Sequence, residues 1–172
     1  VRAIREVCGV EALIKWPNDV LLDNRKLVGI LTEMSAEFGH INYLVVGIGI
    51  NVCVPREMVP EELRASAVSI EDVTGTHVDR VQLLAKVLDY MEYYYDEACK
   101  NGFAPVFDQW REYSATLGRM VKVISPDATY LGEALDIDDT GALLVKKENG
   151  EIEKVLAGDV SIRPAHGTGK YA

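Results

Sequence analysis

KLVGILTEMSAEFGHINYLVVGIGINVCV, residues 26–54, is the stretch that decides the fold. It holds two apolar, β-branched runs, Lys26 to Met34 and Ile41 to Val54, separated by a polar segment that breaks at Gly39-His40. Runs of that composition read as strands. The connection is only a few residues long, so they are antiparallel neighbours. Working upstream, residues 11–16 and 20–23 read as strand, turn and strand continuation, and Asp23-Asn24-Arg25 turns the chain into Lys26. The result is an antiparallel meander. Val1, Ile4, Val7 and Cys8 precede it at helical spacing, with Gly9 as a stop.

Downstream, Pro55 to Glu71 is polar and acidic and reads as a loop carrying short helical pieces. Val81 to Ala98 is an amphipathic helix with Asp79 as N-cap and Gly102 as its end. Its apolar stripe reads as Val81, Leu84, Ala85, Leu88, Met91 and Tyr95. Phe103 to Tyr113 is a shorter helix with Phe103, Phe107 and Trp110 on one side. From about Leu117 the pattern changes to short alternating strands: RMVKVI, TYLGEALDI, ALLVKK and EIEKVLAG. Between them lie Pro126-Asp127, Asp138 to Gly141 and the hairpin signal Asn149-Gly150. Such strands predict a small SH3-like β-barrel. The fold class is therefore α+β, with a first domain at residues 1–114, a barrel at 115–164 and a flexible tail at 165–172.

The 172 residues carry a formal net charge of -9, which argues against nonspecific nucleic-acid binding. No run approaches the roughly 18 apolar residues that span a bilayer. Cys8, Cys53 and Cys99 are odd in number and widely spaced, fitting neither a disulfide framework nor a metal site. A cytoplasmic setting without membrane attachment follows from this reading. Because the sequence opens at Val1 within or beside a helix, it is expected to be a piece of a longer chain.

The residues that could carry chemistry cluster in the meander. Lys15 ends an apolar strand, Trp16-Pro17 fixes the exit, and Asn18-Asp19 adds polar groups nearby. A desolvated ammonium there suits a developing phosphate or carboxylate charge. The alternative is a snorkelling lysine, and spacing alone does not choose between them. Lys26 and Gly29 form a similar pair, a cation and a gap in the side-chain wall, the alternative being an ordinary strand that begins with a solvated lysine. Gly47 and Gly49 either permit close packing or a bulge, or leave room for a flat ligand, with Asn51 offering an amide to a base or ribose. The histidines His40, His77 and His166 have no metal spacing, and no metal ligands are assigned.

The order KWPNDV, RKLVGILTE, VVGIGINV, a helical pair and a small β domain resembles biotin–protein ligase, also called biotin–[acetyl-CoA-carboxylase] ligase. GDVSIRP resembles the family's final strand. The resemblance implies ATP-dependent biotinylation of a lysine on a biotin carboxyl carrier protein through biotinyl-5′-AMP, with magnesium accompanying ATP. It places Lys15 beside the biotin carboxylate and the α-phosphate. Trp16, Asn18 and Asp19 would shape the site, and Gly47, Gly49 and Asn51 would face the adenylate. The family's Arg/Gly-rich loop and the serine/threonine segment that grips biotin do not occur here, nor does a helix-turn-helix. The chain is thus expected to be the C-terminal part of the catalytic domain plus the barrel, inactive alone. The resemblance also allows a homodimer through an edge strand. The rival readings are a lipoate or octanoate ligase or transferase, and a non-catalytic interaction module.

Overall fold

The computed structural model describes residues 1–37, 40–124, 129–156 and 159–162. Helix α1, Arg2–Cys8, stops at Gly9, whose φ of 66° lies in the left-handed region and whose N–H bonds the Arg5 carbonyl. Four strands follow: β1 Leu13–Lys15, β2 Asp19–Leu22, β3 Arg25–Glu37 and β4 His40–Ile50. They pair antiparallel in the order β1-β2-β3-β4, the expected meander. The β2–β3 turn holds two residues, Asp23 and Asn24, both at positive φ. That is the geometry of a two-residue hairpin loop matched to strand twist.

One face of this sheet is apolar. The pairings Val20 with Val28, Val28 with Ile50 and Ile30 with Ile48 put those side chains in register. Val20 and Val28 are buried with Ala3 and Ile4 of α1 and with Leu83 of the long helix α3, Arg80–Asn101. Each large aliphatic side chain so buried contributes roughly 1.5–3 kcal/mol. Asp79 caps α3 by accepting from the N–H groups of Val81 and Gln82.

Two expectations about these elements are corrected. The stripe Val81, Leu84, Ala85, Leu88, Met91 and Tyr95 lies on the exposed side of α3, with Val81 77% and Tyr95 72% accessible. The helix carries a second apolar row, Leu83, Val87 and Tyr90, and it is this row that packs on the first core. The strand expected to run to Val54 ends at Ile50. There the Asn51 N–H bonds the Leu27 carbonyl, while the carbonyls of Asn51 and Val52 accept from Ile70 and Glu71. Those donors open helix α2, Ile70–Thr74, which begins at the end of the stretch read as loop and runs past it, and Ser69 and Asp72 form its capping box. Short 3₁₀ turns at Arg56–Met58 and Glu61–Leu63 account for the helical pieces expected earlier in that stretch.

Helix α4, Ala104–Glu112, leads to a second antiparallel sheet. Its strands are β5 Met120–Ile124, β6 Thr129–Ile137, β7 Leu143–Lys147, β8 Ile152–Val155 and β9 Asp159–Ile162. Among the described residues the pairings run β8-β7-β6-β5-β9, with β8 and β9 at the two ends. Val121, Val123, Ala134, Leu143, Val145 and Val155 form its core, against which Phe107 and Trp110 of α4 pack. The expected turn at Pro126-Asp127, Gly39 of the Gly39-His40 break, and the tail 165–172 lie outside the described residues. Among the described residues no helix is long and apolar enough to cross a membrane.

Candidate functional site

Strand register assembles the site. Lys15 stands opposite Asp19, Asp19 opposite Gly29, and Gly29 opposite Gly49. Directly opposed residues project from the same face of a sheet. One level across all four strands therefore reads cation, carboxylate, gap, gap. It lies on the face away from the α1–α3 core.

The charged half of this row is tightly organised. Asp19 is 14% exposed at its side chain and receives two ammoniums, Lys15 Nζ at 3.3 Å from Oδ2 and Lys26 Nζ at 2.6 Å from Oδ1. Gly29 is what lets Lys26 arrive. A Cβ built there would sit 3.2 Å from Lys26 Cε and 3.4 Å from its Nζ. The gap that the sequence shows at Gly29 is thus filled by the lysine's own stem. Two formal positive charges share one carboxylate, leaving a surplus of one cation.

The glycine half has a different character. A Cβ at Gly49 would meet nothing closer than the Gly29 carbonyl at 3.8 Å, and one at Gly47 nothing closer than the Leu31 carbonyl at 3.7 Å. Both are ordinary van der Waals separations. Neither glycine has positive φ, and the β3–β4 irregularity falls at Ser35/Ala36, away from both. Packing, bulge and backbone conformation therefore make no demand for glycine here. What the two residues leave is bare backbone beside the ion cluster.

The KWPND turn is locked from both sides. Asn18 Nδ2 donates to the Ile30 carbonyl at 2.7 Å, and the Ile30 N–H donates to the Asn18 carbonyl at 2.9 Å. Asn18 thereby anchors the turn to β3. Trp16 faces elsewhere: it is 4% exposed within the core of the second sheet, and its indole N–H donates to the Gly141 carbonyl at 3.1 Å. Of the residues singled out from sequence, the structure gathers Lys15, Asp19, Lys26, Gly29 and Gly49 in one cluster, with Gly47 continuing the bare strip. It sets Trp16 apart.

Asn51 lines a cavity of about 450 Å³ together with Arg25, Met58, Leu63, Arg64 and Asp72. Apart from Arg25, which opens β3, this wall comes from the segment after β4, most of which the sequence reading left as loop without site residues. The one local signal for it is Ser69-x-x-Asp72, a capping-box pattern that marks where the wall turns into α2. Cys53 lies nearby, but the Glu71 carboxylate pushes its thiol above the ordinary range, the opposite of an activated nucleophile. No group of three His, Cys, Asp or Glu side chains among the described residues could hold a metal ion.

Comparison with known proteins adds a second line of observation. Residues 1–51, which include the whole row, match the Biotin/lipoate A/B protein ligase family, and residues 116–163 match the Biotin protein ligase C terminal domain. The chain is 36% identical over 162 residues to the bifunctional ligase/repressor BirA of Bacillus subtilis, covering 94% of this chain and 50% of that protein. It is 33% identical over 151 residues to the biotin–[acetyl-CoA-carboxylase] ligase of Paracoccus denitrificans, covering 86% and 63%. The fold superposes on the biotin protein ligase of Aquifex aeolicus in its apo form with a TM-score of 0.82 at 29% identity, covering 95% of this chain and 70% of that one. The same enzyme in complex with biotin and ATP gives a TM-score of 0.79 at 28% identity, covering 95% and 67%. The chain spans about half the length of the first curated relatives it matches.

Proposed function

Because this chain belongs to the biotin protein ligase family, we propose that it contributes the charge-stabilising part of an ATP-dependent biotin–[acetyl-CoA-carboxylase] ligase. The observation that carries this reading is the convergence of Lys15 and Lys26 on Asp19 beside the bare strip at Gly47 and Gly49. Surplus positive charge suits a phosphate or carboxylate, and an unobstructed sheet face suits a flat adenylate. The donor set therefore fits the substrates.

In the proposed reaction a carboxylate oxygen of biotin attacks the α-phosphorus of ATP, and pyrophosphate leaves. The acceptor lysine's amine then attacks the acyl carbon, and AMP leaves. Negative charge grows at the α-phosphate in the first step and on the acyl oxygen in the second. Lys15 meets that charge with a cation already oriented by Asp19, so little reorganisation is needed as charge develops. Lys26 shares Asp19 and keeps that carboxylate from neutralising Lys15 outright. Asn51 and the cavity beside it would take the nucleotide end. Magnesium would enter with ATP, held through the triphosphate oxygens.

The acceptor is proposed to be a biotin carboxyl carrier domain and the setting cytoplasmic, with the chain divided near Ala115. A homodimer through the edge of β4 remains part of the proposal. The lipoate reading is disfavoured by the match of residues 116–163 to a biotin-ligase domain. A purely non-catalytic module gives no reason for the lysine pair. Lys15→Ala in the full-length protein tests the assignment. Biotin-dependent pyrophosphate release should fall by about 10²–10³ in a variant that still folds. A rate within a few-fold of wild type would sink it.

A further inference from the structure

Strand β1 has only three residues, and β2 pairs with one of its edges. Its other edge is closed by the segment that leads into the second sheet. Ile14 N–H donates to the Tyr113 carbonyl at 2.7 Å, and Ala115 N–H donates to the Ile14 carbonyl at 2.7 Å. On the other side of Lys15, the Trp16 N–H donates to Thr116 Oγ1 at 3.0 Å and its indole to the Gly141 carbonyl. Both chain neighbours of Lys15 are thus held from Tyr113 to Gly141, by groups no part of the ligand face supplies.

We infer that Thr116 is a positioning residue for Lys15, and that the second sheet sets the catalytic lysine's place through it. Three features single out Thr116. It is fully buried, so its hydroxyl has no water to fall back on. Its backbone is fixed by the Ser114 hydroxyl, which accepts from the N–H groups of Thr116 and Leu117. The sheet behind it is tied to α4 by Arg111, which bonds Asp136 at 2.7 Å and the Ile137 carbonyl at 3.0 Å. A rigid frame therefore ends in one hydroxyl aimed at the peptide after Lys15. Removing that hydroxyl leaves a buried N–H unpaired, and β1 must shift to find another acceptor.

The inference rests on the assignment of Lys15 above, and the test keeps the two apart. In the full-length protein, kcat and KM for biotin-dependent pyrophosphate release are measured for Thr116→Val, Thr116→Ser, Lys15→Ala and the double variant Lys15→Ala/Thr116→Val. A displacement near 1 Å costs about 10²-fold in rate, so Thr116→Val should lower kcat by about 10- to 100-fold with KM little changed. Thr116→Ser, which keeps the hydroxyl, should restore it. In the Lys15→Ala background Thr116→Val should cost nothing further, because groups acting through one another are non-additive. An equal loss in both backgrounds would mean a general structural role and overturn the inference. Full activity of Thr116→Val in a Lys15-dependent enzyme would overturn it alone, whereas a fully active Lys15→Ala would overturn the functional reading with it. Should Thr116→Val fail to fold, Thr116→Ala replaces it. That change removes the same acceptor of the Trp16 N–H with a smaller side chain to place, and the same non-additivity with Lys15→Ala is expected.

Discussion

Replacing Gly49 by alanine separates a ligand-facing glycine from a packing glycine. The added Cβ would lie 3.8 Å from the Gly29 carbonyl, an ordinary contact, and the backbone there has no positive φ. Nothing among the described residues resists it. Glycine in a strand interior costs about 0.5–1 kcal/mol relative to alanine, mostly through the freedom of the unfolded chain. Gly49→Ala should therefore raise stability by up to that amount, or about 1–4 °C in Tm for a chain of this size. The methyl group projects from the bare strip beside Gly29, where the adenylate is proposed to lie. Overpacking by one such group costs about 1–3 kcal/mol, which weakens binding by about 5- to 150-fold. Thermal unfolding and calorimetric titration of the full-length protein with a non-hydrolysable biotinyl-adenylate analogue read both effects. Unchanged affinity would show that this face does not meet the ligand. A clear loss of stability would show that Gly49 serves packing after all.

Gly132 supplies the contrasting case. A Cβ there would fall 2.5 Å from Val145 Cγ1 and 2.7 Å from the Lys146 carbonyl, so backbone must move. Gly132→Ala should destabilise the second sheet by about 1–3 kcal/mol, a fall of about 2–12 °C in melting temperature for a chain of this size. The second sheet should also be acid-labile. Arg111 holds Asp136, and Lys154 holds Asp138, below the usual carboxylate value of 3.8. A depressed folded value contributes stability that is complete above the unfolded value and is lost as pH falls through the folded one. Loss should thus begin below about pH 4, and Lys154→Met, which lets the folded Asp138 value return toward 3.8, should lower stability near neutral pH and shrink that acid-dependent loss. Tryptophan emission follows it directly, since both tryptophans, Trp16 and Trp110, belong to or pack on that core.

The meander was legible from residues 11–54 because short connections leave adjacent strands only antiparallel partners. Gly9, Asp79 and the Asp23-Asn24 turn could be read one at a time, since each answers to a local backbone requirement. Lys15, Asp19, Lys26, Gly29 and Gly49 were visible as residue types in suggestive places. Their meeting was not, because it depends on the strand pairings that set Lys15, Asp19, Gly29 and Gly49 at one level. The stem of Lys26 over Gly29 needed the same register.

What the sequence determined by itself was everything fixed within a few residues: strand and helix identity, caps, turns and the supply of small residues and cations. Tertiary structure decided the choices between locally equivalent options. Helix α3 has two apolar rows, and periodicity cannot say that Leu83, Val87 and Tyr90 rather than Val81, Leu84 and Leu88 meet the core. Asn51 leaves its strand only because donors about twenty residues on, at Ile70 and Glu71, take the carbonyls of residues 51 and 52. Trp16 sits one residue from the candidate catalytic lysine, yet its ring lies in the second core because Gly141, far along the chain, offers the acceptor. Hydrogen-bond partners and apolar neighbours of that kind are distant in sequence, so their identity appears only once the chain has closed on itself.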